Sequence, residues 1–270
     1  MSFFFQTLYS GSEGNSCLVG CNGDYILIDA GKNSKAVLNA LSSLSLSIRD
    51  ISAIFVTHEH SDHIGAIEVL ARRYKIPVFA NPETAFLMAS KQLSLPETSI
   101  YRLENYDTAK KGALSVTPFP VPHDSVSCSG YIIEAEGKRL VTATDMGHLC
   151  GDFAQAAKDA DAVLIESNYD LKMLENGSYP AYLKKRISSK NGHLSNADCA
   201  EACSVLAMRK TKKFVLAHLS KENNTPESAF NASHGALTKK GASVTKSEEE
   251  KGDVLLLTAP RYVCSPKIII

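Results

Sequence analysis

Along this 270-residue chain the spacing of apolar positions changes character partway. The N-terminal part alternates short apolar runs with turn signals, which predicts strands. Residues 3–8 and 17–28 read as short strands, with Cys21-Asn22-Gly23-Asp24 as a hairpin turn. Gly11-Ser12-Glu13-Gly14-Asn15-Ser16 lies between them as a loop. Residues 34–45 have helical spacing. Ala53-Ile54-Phe55-Val56-Thr57 is short and continuously apolar, so it predicts a buried strand. A helix follows from about Asp62, with Ser61 as its N-cap. Ile64, Ile67, Leu70, Ala71 and Tyr74 form its apolar face. A strand–helix pair covers 77–92, and strand signals return at 113–119, 130–135, 138–143 and 161–166. Helix 196–209 leads into strand 213–217, and a helix near 226–239 precedes a last strand near 253–258. A β-rich start followed by strands with helices between them predicts two sheets with helices outside. No Pro/Gly/Ser-rich linker or internal repeat divides the chain, so residues 1–270 read as one domain.

Composition narrows the classes. Hydrophobic residues make up 44% and charged residues 21%, as in a globular protein and unlike a disordered one. No apolar run approaches the roughly 18 residues of a membrane span. Phe3–Phe5 has no basic residue before it and is too short for a signal peptide. The expectation is a cytoplasmic protein with no membrane contact and no obligate protein partner. Lys+Arg and Asp+Glu both number 29, so any attraction to nucleic acid must be local. The seven cysteines (Cys17, Cys21, Cys128, Cys150, Cys199, Cys203 and Cys264) are odd in number. Their spacing fits neither a disulfide framework nor a zinc ribbon, so they read as buried thiols.

The chemistry concentrates in Thr57-His58-Glu59-His60-Ser61-Asp62-His63. Imidazole and carboxylate are the ligands of zinc and similar divalent ions. A strand ends at Thr57, so His58 and His60 sit on the following turn and can aim at one ion. Asp62 and His63 fall in the first turn of the next helix and can aim at a second ion beside it. Further donors lie just past other apolar strands: His123 after Thr117-Pro118-Phe119, Asp145 after Arg139–Ala143, and His218 after Phe214–Ala217. Loops at the carboxyl ends of strands converge on one crevice, which favours reading these as one ligand set. His148 and His234 lack such placement and read as structural or surface residues.

His-x-His-x-Asp-His, then a lone His, Asp and His at long intervals, resembles the metallo-β-lactamase superfamily over nearly the whole chain. The resemblance implies an α/β fold, a four-layer αββα sandwich. It implies that His58, His60 and His123 hold one metal, that Asp62, His63 and His218 hold the other, and that Asp145 bridges. It also implies that Asp29, in Leu27-Ile28-Asp29-Ala30-Gly31, is an acid buttressing the metal loop; on residues alone Asp29 reads equally as a strand-end turn residue. Ser10–Ser16, Ile165-Glu166-Ser167-Asn168, Gly192-His193-Leu194-Ser195-Asn196 and His218–Asn224 together resemble the YycJ/WalJ-type group of DNA exonucleases. That group is similar in its C-terminal part to a tRNA 3′-processing endonuclease and to a cyclic phosphodiesterase. One departure is Tyr169, where the group tends to have His after Glu-Ser-Asn.

Phosphodiester chemistry fits the residues without the name. His193 lies 25 residues before His218, across a helix and a strand, which returns it to the same crevice. It suits a proton donor to a leaving alkoxide or a phosphate contact, or else a polar residue at a helix start. Lys221, Asn223 and Asn224 cluster where a phosphate needs donors, and Ser12, Asn15 and Ser16 could donate too. Nine basic residues (Lys184, Lys185, Arg186, Lys190, Arg209, Lys210, Lys212, Lys213 and Lys221) are opposed between 184 and 221 only by Asp198 and Glu201. They suggest a basic rim for a polyanion, or a solvated helix face; no aromatic interleaving suggests base stacking.

The resulting expectation is a binuclear metal-dependent phosphodiesterase on nucleic acid, a DNA exonuclease. Two divalent ions, zinc first with manganese or iron also admitted, lower the pKa of bound water from about 16 to about 7. A hydroxide held between them would attack phosphorus in line, with Asp62, Asp145 and His193 at the reaction. The alternatives are a carbonyl-directed thioesterase or lactonase of the same superfamily, a cyclic phosphodiesterase, or an RNA-processing nuclease. His60 argues against a di-iron redox protein, which usually has Glu there. The complete ligand set argues against a non-catalytic nucleic-acid binder.

Overall fold

The computed structural model describes residues 2–92, 95 and 99–270. In chain order the first elements are β1 (Phe4–Tyr9), β2 (Ser16–Cys21), β3 (Asp24–Ile28), α1 (Ser34–Ser43), β4 (Ile51–Phe55), α2 (Ser61–Ile64), α3 (Ile67–Tyr74), β5 (Val78–Ala80) and α4 (Pro82–Leu87). Next come β6 (Ile100–Arg102), β7 (Ala109–Lys111), β8 (Leu114–Val121), β9 (Cys128–Ala135), β10 (Lys138–Ala143), α5 (Gly151–Ala157), β11 (Ala162–Glu166), α6 (Leu171–Asn176) and α7 (Ala181–Ile187). The last are α8 (Asn196–Ala207), β12 (Lys213–Ala217), α9 (Pro226–Lys239), β13 (Val244–Thr245), β14 (Val254–Thr258) and β15 (Ile268–Ile269). The chain divides into two compact units. One is Met1–Pro120, Ser125–Lys138 and Pro260–Ile270; the other is Val121–Asp124 and Arg139–Ala259.

In the first unit a sheet runs β15-β1-β2-β3-β4-β5-β6. β1, β2 and β3 are antiparallel, and β3 to β6 are parallel. The β2–β3 hairpin turns on Asn22 (φ 54°) and Gly23 (φ 95°), two left-handed residues as a two-residue turn requires. β4 is almost wholly buried, as a parallel strand covered on both faces must be. Its core includes Leu27, Val37, Leu41, Ile54, Ile67 and Leu70. The register pairs Ile28 with Phe55, so Asp29 emerges beside the residues that follow β4.

The helix expected from Asp62 forms in two pieces. α2 begins at Ser61, with His60 rather than Ser61 at the capping position and no side-chain cap. It ends after Ile64, and α3 begins at Ile67. The cause is a backbone cross-weave. The Asp62 and His63 carbonyls accept from Asn15 N (2.8 Å) and Ala30 N (2.9 Å) instead of from amides four residues on. Ala66 N donates to Ala30 O at 2.8 Å. Gly31 makes this approach possible: a Cβ there would stand 1.5 Å from Asp62 O and 2.7 Å from Asn15 N.

In the second unit β10, β11, β12, β14 and β13 lie side by side, all parallel. α5, α8 and α9 are the crossover helices between them. β11 is buried along its length. The register sets Glu166 against Ala217 and Ile165 against Ala143, so Glu166, His218 and Asp145 all leave the same end of this sheet.

Five cysteines are buried, but Cys150 and Cys264 are only half-buried, against the reading of all seven as buried. Cys150 caps α5, its Sγ accepting from Phe153 N. Short elements such as α5, α6 and α7 escaped the periodicity, because six or seven residues give under two turns of pattern.

Gly31→Ala is expected to cost about 3 kcal/mol through backbone overlap with Asp62. Thermal unfolding checks it. A melting temperature within a degree of the parent would mean that the cross-weave tolerates a side chain.

Candidate metal centre

The first unit presents His58, His60, Asp62 and His63 on the turn and helix after β4. Asp29 is the fixed point beneath them. Its backbone takes a left-handed φ of 60°, which Asp tolerates better than most residues, and it is buried. Its Oδ1 accepts from Thr57 N (2.8 Å), and its Oδ2 accepts from Thr57 Oγ1 (2.9 Å) and His63 Nδ1 (2.8 Å). Because the Thr57 hydroxyl gives its proton to Asp29, its oxygen is the acceptor for His58 Nδ1 at 3.0 Å. Burial raises the Asp29 carboxyl above the usual carboxylate range, against the pull of His63 and of Thr57. The His58 ring lies 4.5 Å from that of His60 and 4.1 Å from that of His63. Asn15 Nδ2 donates to Asp62 Oδ2 (3.3 Å) and stands 3.1 Å from His63 Nε2.

The second unit repeats the device. Asp145 and His218 follow their strands in left-handed turns, φ 56° and 53°. Glu166, fully buried at the end of β11, is the fixed point here. Its Oε1 accepts from Nδ1 of both His193 (2.8 Å) and His218 (2.9 Å). Its Oε2 accepts from Met146 N (2.8 Å) and Leu194 N (3.0 Å). Burial alone would raise this carboxyl; the imidazoles of His193 and His218 outweigh it and hold it at about 2. Burial also opposes a charged His193, yet Glu166 and then Asp145 keep it above the ordinary imidazole value. His123 goes the other way: burial, opposed by Asp145, holds it below, in the neutral ligating form. Its Nδ1 donates to Gly192 O at 3.0 Å. Asp145 Oδ1 stands 3.2 Å from His218 Nδ1 and 3.8 Å from His123 Nε2.

Ligand atoms of Asp145, Glu166, His193 and His218 lie within 4.8 Å of one another. Glu166 already accepts four hydrogen bonds, so it acts as the anchor of the group rather than a metal ligand. With Nδ1 of His58, His63, His123 and His218 each engaged by an oxygen, Nε2 is the nitrogen that can bind an ion. Imidazole nitrogen and carboxylate oxygen are the donors that divalent transition ions take, so these residues fit such a metal.

The expected substrate contacts separate. Ser12 and Lys221 are exposed. Asn15 faces Asp62 and His63, and Ser16 Oγ donates to Asp29 O (2.8 Å), so both brace the metal loop. Asn223 is buried, with Gly177 close over its Oδ1. Asn224 is buried too. Its Nδ2 donates to Ser167 O, Asn168 O and Asn196 Oδ1, which leaves no hydrogen for a phosphate. Three of the nine basic residues are paired: Arg186 with Asp124, Lys210 with Asp161 and Lys213 with Glu248. Tyr169 is buried against Leu174 and Ile187, an apolar role where His was expected. His148 is exposed, and His234 stacks on Phe230. Glu166 and Thr57 had no assigned role in the sequence. A carboxylate closing an apolar strand, in the same position as the ligands, was the available signal for Glu166.

Residues 24–219 match the beta-lactamase superfamily domain, and the chain belongs to that family. It is a metal-dependent hydrolase. It is 37% identical over 249 residues to the exodeoxyribonuclease YycJ of Bacillus anthracis, covering 92% of this chain and 94% of that protein. It is 39% identical over 231 residues to the exodeoxyribonuclease WalJ of Streptococcus pneumoniae, covering 85% and 86%. The metallo-beta-lactamase fold protein YhfI of Bacillus subtilis superposes with a TM-score of 0.69 at 14% identity, over 97% of this chain and 99% of that one. That likeness shows the metallo-β-lactamase fold that the motif resemblance implied. No helix among the described residues is long and apolar enough to cross a membrane.

Glu166→Gln replaces an acceptor-only group with one that points hydrogens at donors. It should weaken metal binding by about ten- to a hundredfold, as lost support of ligating imidazoles does. Competition against a chelator measures it, and parental affinity would remove Glu166 from the account.

Proposed function

We propose that this chain is a DNA exonuclease, working as one hydrolase domain in the cytoplasm. In this reading His58, His60 and His123 hold one divalent ion. Asp62, His63 and His218 hold a second, and Asp145 bridges. When bound, such ions lower the pKa of water and neutralise phosphoryl oxygens. Zinc suits five imidazoles best, with manganese or iron admitted by the carboxylates. Support comes from the family, from the two exodeoxyribonuclease relatives and from the donor types. Seven free thiols suit a reducing compartment.

One observation carries the phosphodiester part. Glu166 holds two imidazoles through the same oxygen, but only His193 keeps a side chain reaching solvent, 16% exposed against 2% for His218. His218 is thereby a ligand, and His193 is a charged donor facing substrate. The proton on His193 Nε2 passes to the leaving alkoxide, while Glu166 on Nδ1 stabilises the imidazolium. Hydrolysis of an activated carbonyl has no need of such a donor. Lys221, exposed past His218, and Ser12, exposed in the glycine loop, supply phosphate contacts; Asn15 orients Asp62.

End-labelled single- and double-stranded DNA, RNA and a thioester, each incubated with the metal-loaded protein, test the substrate class. DNA should shorten from one end. Cleavage of the thioester alone would overturn the reading.

His193→Ala is expected to keep its metal and fold and to lose about a hundred- to ten-thousandfold in kcat on DNA. A nitrophenyl phosphodiester, whose leaving group needs little protonation, should lose far less. Equal losses on both would make His193 a phosphate contact instead of an acid.

A further inference from the structure

The helix before His193 faces two ways. On its inner side Leu183 and Ile187 join Tyr169, Leu174 and Tyr179 in a small cluster of their own. Lys184 Nζ donates to Glu175 O at 2.7 Å, which ties α7 to the end of α6. Arg186 forks onto Asp124, Nη2 to Oδ1 at 3.0 Å with Nε on Oδ2, and Asp124 is the neighbour of His123. Ile187 O accepts from His193 N at 2.9 Å, and Gly192 O holds His123. The helix is thus pinned to α6, to Asp124 beside His123 and to His193 itself, so its outer side has a fixed position relative to His193.

That outer side is chemically distinctive. Tyr182 is 75% exposed, the most exposed large side chain among the described residues that carry a hydrophobic ring or chain. Lys185 follows it one turn on, and Lys190 stands beyond the helix end; both are exposed. Asp124 is spent on Arg186, so it does not cancel these lysines. The basic stretch that shows no aromatic interleaving within it thus has an aromatic at its edge, Tyr182, and an aromatic face beside cations is the combination that holds unpaired nucleotides: bases stack on the ring and phosphates meet the ammonium groups. The scale agrees. The five residue steps of helix from Tyr182 to Ile187 span about 7.5 Å, about two stacked nucleotides at ~3.4 Å each.

We propose that α7 is the track for the substrate strand, where an unpaired base stacks on Tyr182 and Lys185 and Lys190 meet the phosphates leading to the scissile bond at His193. This rests on the nuclease reading and commits it to a single-stranded DNA end. Tyr182 and the lysines are binding residues for the strand; the chemical step does not involve them.

The test uses the metal-loaded protein and a fluorescent, hydrolysis-resistant phosphorothioate oligonucleotide, with anisotropy read across a salt series. Tyr182→Ala should raise Kd about tenfold, and Tyr182→Phe, which keeps the ring, should stay near the parent. Lys185→Ala combined with Lys190→Ala should reduce the slope of log affinity against log salt by about 1.4, two phosphate contacts on a single strand. On cleavable DNA the same variants should raise KM with kcat kept. A parent that binds and cuts DNA while Tyr182→Ala and the lysine pair behave as parent overturns the track alone. Equal losses for Tyr182→Ala and Tyr182→Phe overturn the stacking role. A parent that cuts double-stranded DNA but neither binds nor cuts single-stranded DNA overturns the track alone, and a parent that cuts neither overturns the nuclease reading with it.

Discussion

Two buried carboxylates, Asp29 and Glu166, set the chemistry of this protein. Neither faces solvent, and each is surrounded by donors: two from Thr57 and one from His63 for Asp29, two imidazoles and two backbone amides for Glu166. A buried charge is costly unless it is paired and hydrogen-bonded. Here the pairing does a second job. An Nδ1–H donated to a carboxylate fixes the tautomer and the ring orientation, so Nε2 is aimed before any ion arrives. Stability and function therefore share the same bonds.

The scaffold repeats one local solution. Asp29, Asp145 and His218 each leave a buried strand through a left-handed residue. Holding a non-glycine residue there costs about 1–3 kcal/mol and persists only where the surroundings insist on it. The parallel registers supply that insistence. Ile28 opposite Phe55 places Asp29 beside Thr57, and Glu166 opposite Ala217 places it beside His218. His193 gains its position differently, through the Ile187 carbonyl at the end of α7 and through Glu166.

Much of this was readable from the chain. The apolar runs placed the strands of both units, and the donors past those strands were visible because strand ends are where polar residues interrupt an apolar pattern. Three things were hidden. The helix after Asp62 splits at Gly65 and Ala66 because amides of residues 15 and 30, distant in sequence, take its carbonyls. Asn224 reads as a phosphate donor by position, but its hydrogens go to Ser167, Asn168 and Asn196. Glu166 looks like the end of a strand until the sheet register sets it against the residue before His218. Side-chain partners that come from register or from distant loops leave no periodicity in the sequence, whereas ligand-type residues at strand ends do.

The count of ions tests the account most directly. The seven donors of the proposed centre, of which Asp29 holds His63 and Glu166 holds His218, exceed what one tetrahedral ion can use. Protein purified without chelators and analysed for metal should carry close to two divalent ions per chain. A fully loaded sample that stays at or below one would contradict the proposed binuclear centre and the division of labour built on Asp29 and Glu166.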